Sequence, residues 1–303
     1  MKFTESNKLL SNGLTRREMI EKLLAAYQQP ALRHSLPADC ETFFDIPYDT
    51  TSPRQRIDIY KPKGGGPFPV VVWIHGGGWY TGDKADFGLE SRLRFLSYGY
   101  AIVSIGYRLL DTAVFPAPLE DVENGCAYLA AHGAEYNLDT SRMCIVSGSA
   151  GTPLALTAAL KSKLFRAASM GCPILDFSTM TRQFQQLNME RNPMFAIPDA
   201  DYSIESLLLG GAVQEELELC REAAPKSYLD QDALYIQLHH GLLDKTTPYL
   251  QSVEFAEEVV RITGDPDRVN CILLPDTGHS GGLYYSDEVF RQRLAFLEKH
   301  LKG

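Results

Sequence analysis

The sequence predicts an α/β protein in which a mostly parallel central sheet is covered by helices on both faces. Three observations carry this. The segments PVVVWIH, YAIVSIGY, MCIVSG, AASMGCPIL, ALYIQLH and VNCILLP are nearly continuous apolar runs, the pattern of parallel strands buried on both sides. Helix-period stretches stand between or after them, at about residues 88–98, 117–133, 151–162, 247–263 and 286–301. Strand and helix therefore alternate along the chain, the order that builds a layered fold of this kind.

Taken in order, the chain opens with a capping box, Thr15 followed by Glu18, ahead of Met19, Ile20, Leu23, Leu24 and Tyr27. That spacing marks an amphipathic helix over 16–28 that packs on the body. TFFDIP and RQRIDIYKP alternate as antiparallel strands near a sheet edge do, and KPKGGGPFP is short enough to be the turn after them. The apolar runs come next. One interval breaks their rhythm: residues 176–230, carrying TMTRQFQQLNMERNPMF, IESLLLG and AVQEELELCREA, form a connection far longer than a crossover helix needs. Long excursions at the ends of parallel strands shape ligand sites, so a partial lid or pocket wall is expected there. No repeat, linker or low-complexity tract divides the 303 residues, and one domain spanning 1–303 is the expectation.

Composition excludes several classes. The formal charge of −9, from 29 Lys and Arg against 38 Asp and Glu, comes with no basic stripe, which argues against nucleic acid. The start of the chain lacks an apolar leader core, and no apolar run approaches the ~20 residues that span a bilayer. A soluble, cytoplasmic protein with no membrane partner is expected. The six cysteines include no C-x-x-C pair and read as reduced core thiols. His239 and His240 lack an H-E-x-x-H setting, so no metal is expected; His240 is read as shaping the turn before Asp244, and His239 as a satisfied strand-end residue. In GGGWYTGDK, Asp83 separates Gly82 from Lys84 where a phosphate loop requires Lys directly after the last Gly. Glu120 and Asp121 complement a helix N-terminus.

The chemistry-bearing stretch is CIVSGSAG, Cys144–Gly151, followed by the helix-like TPLALTAAL. Ser149 thus stands where strand turns sharply into helix among very small neighbours, the setting of a nucleophile elbow. Acyl transfer by serine also needs a base, an acid that orients it, and donors aimed at the developing oxyanion. HGGGW follows VVVWI, Asp244 follows LYIQLHHGLL, and His279 follows CILLPDTG, each just past a strand. Simpler readings exist for each: Ser149 as a small turn residue, Asp244 as a cap for the helix near TTPYLQ, His279 as a surface or core histidine. Their joint order, Ser then Asp then His, is that of the α/β-hydrolase fold.

From about Phe43 onward the chain resembles α/β-hydrolases of the carboxylesterase and hormone-sensitive-lipase-like branch, close to acetyl xylan and feruloyl esterase types. RQRIDIYKP, VVVWIHGGGWYTGDK, FPAPLEDVENGCAYL, YNLDTSRMCIVSGSAG, HHGLLDKTTPYLQSVEF and DTGHS carry the resemblance. It implies Ser149 as nucleophile, Asp244 as orienting acid and His279 as base, with the amides of Gly77, Gly78 and Ala150 as the oxyanion hole and no cofactor. His75 would brace the glycine loop. Trp79 and Tyr80 are candidate substrate contacts, with packing under the loop as the other reading. Two departures stand out: Ser147 at the first position of the usual G-x-S-x-G, and Pro153, which must fall in the first helical turn. The implied activity is hydrolysis of short acyl esters, acetyl foremost, of carbohydrates. The alternatives are an arylformamidase-like amide hydrolase and a catalytically silent binding protein. The expected partner is a small-molecule or oligosaccharide ester, and homo-oligomerisation is left open.

Overall fold

The computed structural model describes residues 8–26 and 36–302. In chain order its elements are α1 (Arg16–Ala26), β1 (Cys40–Pro47), β2 (Arg56–Pro62), β3 (Phe68–Ile74), α2 (Phe87–Leu93), β4 (Ala101–Ile105) and α3 (Ala117–His132). Then come β5 (Leu138–Gly148), α4 (Gly151–Ser162), β6 (Ala167–Gly171), α5 (Met180–Gln186), α6 (Ile204–Leu209) and α7 (Leu217–Ala223). The chain finishes with β7 (Tyr235–Gly241), α8 (Leu250–Thr263), β8 (Val269–Leu274) and α9 (Asp287–Leu297). The eight strands form one sheet in the order β1-β2-β4-β3-β5-β6-β7-β8. β2 runs antiparallel to both β1 and β4, and every pairing from β4 to β8 is parallel.

The apolar runs are continuous because alternate residues face two different cores. On β3, Val70, Val72 and Ile74 enter the larger core with Leu119, Val122, Leu156 and Val259, whereas Val71 and Trp73 enter the smaller one with Leu89, Phe290, Leu294 and Leu297. The terminal strand β8 departs from this pattern. It has a neighbour on one side only, and Leu273 is 38% exposed. Cys271 on β8 and Cys40 on β1 are accordingly half-buried, which corrects the expectation of core thiols at those two positions; the other four cysteines are buried and all six are free.

Helix boundaries shift for local reasons. The 88–98 stretch is helical only to Leu93, then tightens into a 3₁₀ turn that Gly99 ends at φ +76°. The stretch at 247–263 becomes helical at Leu250, and the last helix gives way to a π turn over Glu298–Lys302. α1 begins on the Thr15 and Glu18 capping box and buries Ile20 and Leu23; Tyr27 and Gln28 lie outside the described residues. Among the described residues, no helix is long and apolar enough to cross a membrane.

Between β6 and β7 the chain makes the long excursion expected at 176–230, as short helices rather than one element. Gln251 of α8, almost fully buried, anchors its start: its side-chain carbonyl accepts the amides of Leu175 and Asp176, both at 2.7 Å, and its amide donates to Gln183 at 2.6 Å. Further on, Arg191 and Glu205 form a buried ion pair at 2.6 Å, and the Asn192 amide donates to the Lys245 carbonyl at 2.7 Å. That last bond ties the excursion to the loop carrying Asp244.

Candidate active site

The site begins at the end of β5, a strand central to the sheet. Ser149 adopts φ +52°, a left-handed conformation that non-glycine residues rarely accept and that persists where surrounding structure enforces it. The enforcement is visible on both sides. The Ser149 amide donates to the Gly171 carbonyl at 2.9 Å, while its own carbonyl accepts from the amide and the hydroxyl of Thr152 at 2.9 and 2.6 Å. Gly151 must lack a side chain, since a Cβ there would strike the His75 carbonyl and lie 2.5 Å from Ser147 Oγ. Ser147 fits the first elbow position by turning its hydroxyl onto the Ile74 carbonyl of β3, 2.8 Å away. Pro153 falls in the first turn of α4, where its missing N–H leaves no helical bond unmade.

Three distant segments meet at this serine. Ser149 Oγ lies 2.8 Å from His279 Nε2, and His279 Nδ1 lies 2.7 Å from Asp244 Oδ2. With the carboxylate facing Nδ1, that nitrogen carries the proton and Nε2 is free to accept from the serine hydroxyl. Asp244 is fully buried, and its other oxygen accepts the amides of Thr246 and Thr247, both at 2.8 Å. These bonds close the turn that carries Asp244; they do not cap the following helix, whose N-cap is Tyr249, so the cap reading of Asp244 is corrected and the partner reading stands. His240 Nε2 sits 3.4 Å from Asp244 Oδ2 and 3.0 Å from the Thr247 carbonyl, so this histidine does brace the turn. His239 diverges from it: Nε2 lies 3.0 Å from Gln292 Oε1, but Nδ1 is buried without a partner, so the expectation of a satisfied residue is corrected at that nitrogen.

Electrostatics follow from this geometry. Burial by itself would push the Asp244 carboxyl up, but the His279 imidazole and the hydrogen bonds from His240 and His279 outweigh it and hold the group well below the usual carboxylate range. Burial would lower the His279 imidazole; the adjoining Asp244 carboxylate raises it instead, well above its ordinary 6.5.

The glycine loop faces the serine. Gly77 has φ +106°, and any Cβ there would run into the Thr81 carbonyl oxygen, so only glycine lets this backbone fold back beside Ser149. Among the described residues, no protein acceptor takes the amides of Gly77, Gly78 or Ala150 in the backbone hydrogen-bond network, and all three residues line the same cavity as Ser149 and His279. His75 holds the loop from below, stacked on Tyr107 with ring centroids 4.2 Å apart, its Nδ1 2.8 Å from the Gly76 carbonyl. The Tyr107 hydroxyl donates to the His75 carbonyl at 2.8 Å.

The cavity measures about 290 Å³. Tyr80 lines it. Trp79 does not: at φ +61° its side chain turns into the core, fully buried and edge-on to Phe177 at 5.6 Å, so the expected substrate contact at this position is corrected to packing. Glu120 remains on the surface, but Asp121 does more than complement a helix end. It is fully buried and accepts Arg108 Nη2 at 2.7 Å and Gln55 Nε2 at 2.7 Å. From the long excursion come Asn192, Met194, Phe195 and Ile204, which make it a wall of the cavity. Sequence reasoning missed Cys172, Arg92 and Arg293 in the lining. The two arginines had a readable signal, since each occupies an otherwise apolar helix face; Cys172 was hidden within an apolar run.

Comparison with known proteins bears on the family and the fold. The family model BD-FAE matches residues 57–259. Esterase LipQ of Mycobacterium tuberculosis is 26% identical over 220 residues, covering 70% of this chain and 51% of that protein. An acetyl esterase of Salmonella schwarzengrund is 24% identical over 217 residues, covering 69% and 60% respectively. The chain spans about half the length of the first such relatives, at 51% and 55%. Among solved structures, a truncated carbohydrate esterase from gut microbiota superposes with a TM-score of 0.76 at 20% identity, covering 91% of this chain and 100% of that one. A bacterial heroin esterase gives a TM-score of 0.69 at 22% identity, covering 94% and 90%. These likenesses establish the α/β-hydrolase fold.

Proposed function

The chain belongs to the BD-FAE family of α/β-hydrolase proteins, and we propose that it hydrolyses carboxylic esters with short acyl groups through Ser149, His279 and Asp244. The observation that carries this reading is the continuous relay from Ser149 Oγ through the imidazole to a buried carboxylate, set against a bare glycine loop.

Ser149 Oγ attacks the ester carbonyl carbon while His279 Nε2 takes its proton. Asp244 stabilises the imidazolium that results. The amides of Gly77, Gly78 and Ala150 receive the oxyanion of the tetrahedral intermediate. Collapse breaks the bond to the alcohol, which leaves with the proton held on Nε2. Water then attacks the acyl-serine, His279 again accepting the proton; the acid departs and Ser149 is restored.

Acetyl esters of carbohydrates are the substrate class proposed. The cavity of about 290 Å³ is at the small end for ligand sites, which run from roughly 300 to 1,000 Å³. Relatives named acetyl esterase and a structural neighbour named carbohydrate esterase support the same choice. Ser149→Ala tests the reaction: hydrolysis of p-nitrophenyl acetate is expected to fall by roughly 10⁴-fold or more with thermal unfolding little changed. Undiminished turnover by that variant overturns the assignment. A panel comparing acetylated xylo-oligosaccharides with longer acyl esters and with N-formylkynurenine tests the substrate class; preference for the longer esters or the formamide overturns it.

A further inference from the structure

Two arginines stand in the cavity where their helices otherwise bury apolar residues. The buried face of α2 carries Leu89, Arg92 and Leu93, and that of α9 carries Val289, Phe290, Arg293, Leu294 and Leu297. Arg92 is 4% exposed and Arg293 2%. Both line the cavity that holds Ser149 and His279. Arg293 approaches the reaction centre closely: a Cβ on Gly171 would lie 3.2 Å from its Nη2, and the Gly171 carbonyl is the acceptor for the Ser149 amide.

Arginine is almost never this buried without a carboxylate partner and acceptors for its five N–H groups. These two have no carboxylate partner and only part of their acceptors. Arg92 Nη1 donates to Ser91 Oγ at 2.5 Å, and its guanidinium lies over the Trp73 ring, 4.6 Å from the centroid. Arg293 Nη1 donates to the Tyr284 carbonyl at 3.2 Å. The Nε atoms of both residues and Nη2 of Arg293 are buried with no acceptor in the protein. Two acids line the cavity among the described residues. Glu205 is taken by Arg191, and Asp86 accepts the Leu89 amide without coming within ion-pair distance of either arginine. Two guanidinium groups thus stand with one other carboxylate in the cavity wall, and neither is paired with it. Burial pulls Arg92 down to about 10, and burial together with repulsion from Arg92 pulls Arg293 well below its usual value.

We propose that Arg92 and Arg293 form a subsite for a carboxylate carried by the ester substrate, so that the favoured substrates are anionic esters. Planar guanidinium forks match a carboxylate in geometry, and such a group would supply both the missing acceptors and the missing charge. An acetylated acidic sugar has this chemistry. The inference rests on Ser149 being the nucleophile, because the subsite is placed relative to it.

The test compares kcat/KM for two ester pairs. Phenyl acetate against 4-carboxyphenyl acetate places the charge on the alcohol side; p-nitrophenyl butyrate against mono-p-nitrophenyl succinate places it on the acyl side. The wild-type protein is expected to favour the anionic member of one pair, which identifies the side recognised. Arg92→Met and Arg293→Met should each reduce that preference by about tenfold or more, with Arg293→Lys retaining part of it. If either methionine variant fails to fold, inhibition of wild-type phenyl acetate hydrolysis by benzoate against benzamide gives the same information, benzoate being expected to inhibit more strongly. Equal or poorer turnover of both anionic esters, or a preference that survives both substitutions, overturns the subsite; so does equal inhibition by benzoate and benzamide. Failure of the underlying reading is distinct: Ser149→Ala would then hydrolyse phenyl acetate as fast as the wild type.

Discussion

Two parts of the cavity wall are built from different materials. One is main chain: the Gly76–Gly78 loop after β3 and the Ser149 elbow after β5, pressed so closely together that a Cβ on Gly76 would lie 2.8 Å from the Gly148 carbonyl. The other is long side chains: Arg92 from α2, Arg293 from α9, and Arg191 with Glu205 from the excursion between β6 and β7. The contrast separates what the proposed reaction requires from what the proposed subsite adds. Backbone amides held by glycines and strand ends need no reorganisation when charge develops, and so suit an oxyanion. Charged side chains drawn from remote helices form a surface that can suit one ester and reject another.

The largest expected effect tests the relay that the main-chain wall serves. Asp244→Asn should lower kcat near neutral pH by about 10⁴-fold, because the relay then loses the carboxylate that fixes the His279 tautomer. The same variant tests the pH dependence. Only neutral His279 can accept the serine proton, so wild-type kcat/KM should rise with pH through a midpoint above the ordinary histidine value of 6.5, the direction in which Asp244 shifts the imidazole. Removing the carboxylate should move that midpoint to lower pH. An unmoved midpoint would separate His279 from the titration.

Next comes the side-chain wall. Glu205→Gln strands Arg191 in a site where the two side chains are 3% and 0% exposed, and should destabilise the fold by about 3–5 kcal/mol, read as a fall in the urea midpoint. A stability loss below about 1 kcal/mol would show that this part of the wall is not held by the pair. Gly77→Ala is expected to lower kcat by roughly 10²–10³-fold, the effect of displacing one oxyanion donor. Equal losses for Gly77→Ala and a side-chain-wall variant across neutral and anionic esters would erase the proposed division. The smallest effect on turnover is expected for Trp79→Phe, a packing residue outside the cavity, where the void left in the core should cost about 1–3 kcal/mol of stability with little change in KM. A large rise in KM would return Trp79 to the substrate.

The same division decides what could be read in the sequence. Strands were legible because β3, β5, β6 and β7 are covered on both faces, and each buried face demands apolar residues at every second position. The meeting of Ser149, Asp244 and His279 was legible because each stands just past its own strand, and parallel strands deliver the loops at their carboxyl ends to one edge of the sheet. Trp79 was misplaced because its direction depends on a positive φ that no spacing rule supplies. The anchoring role of Gln251 was hidden for another reason: its partners, Leu175, Asp176 and Gln183, lie far away in the chain and share no period with it. Arg92 and Arg293 were missed although each is a misfit on an apolar helix face, because their common cavity emerges only when α2 and α9 pack on the same side of the sheet.

The most direct measurement is a rapid quench of the protein with p-nitrophenyl acetate, then mass spectrometry of its peptides. One added acetyl group is expected on Ser149, and none on Ser149→Ala. Full turnover with the acetyl group found instead on the neighbouring Cys172 thiol, or with Ser149 never modified, would contradict the role given to this serine.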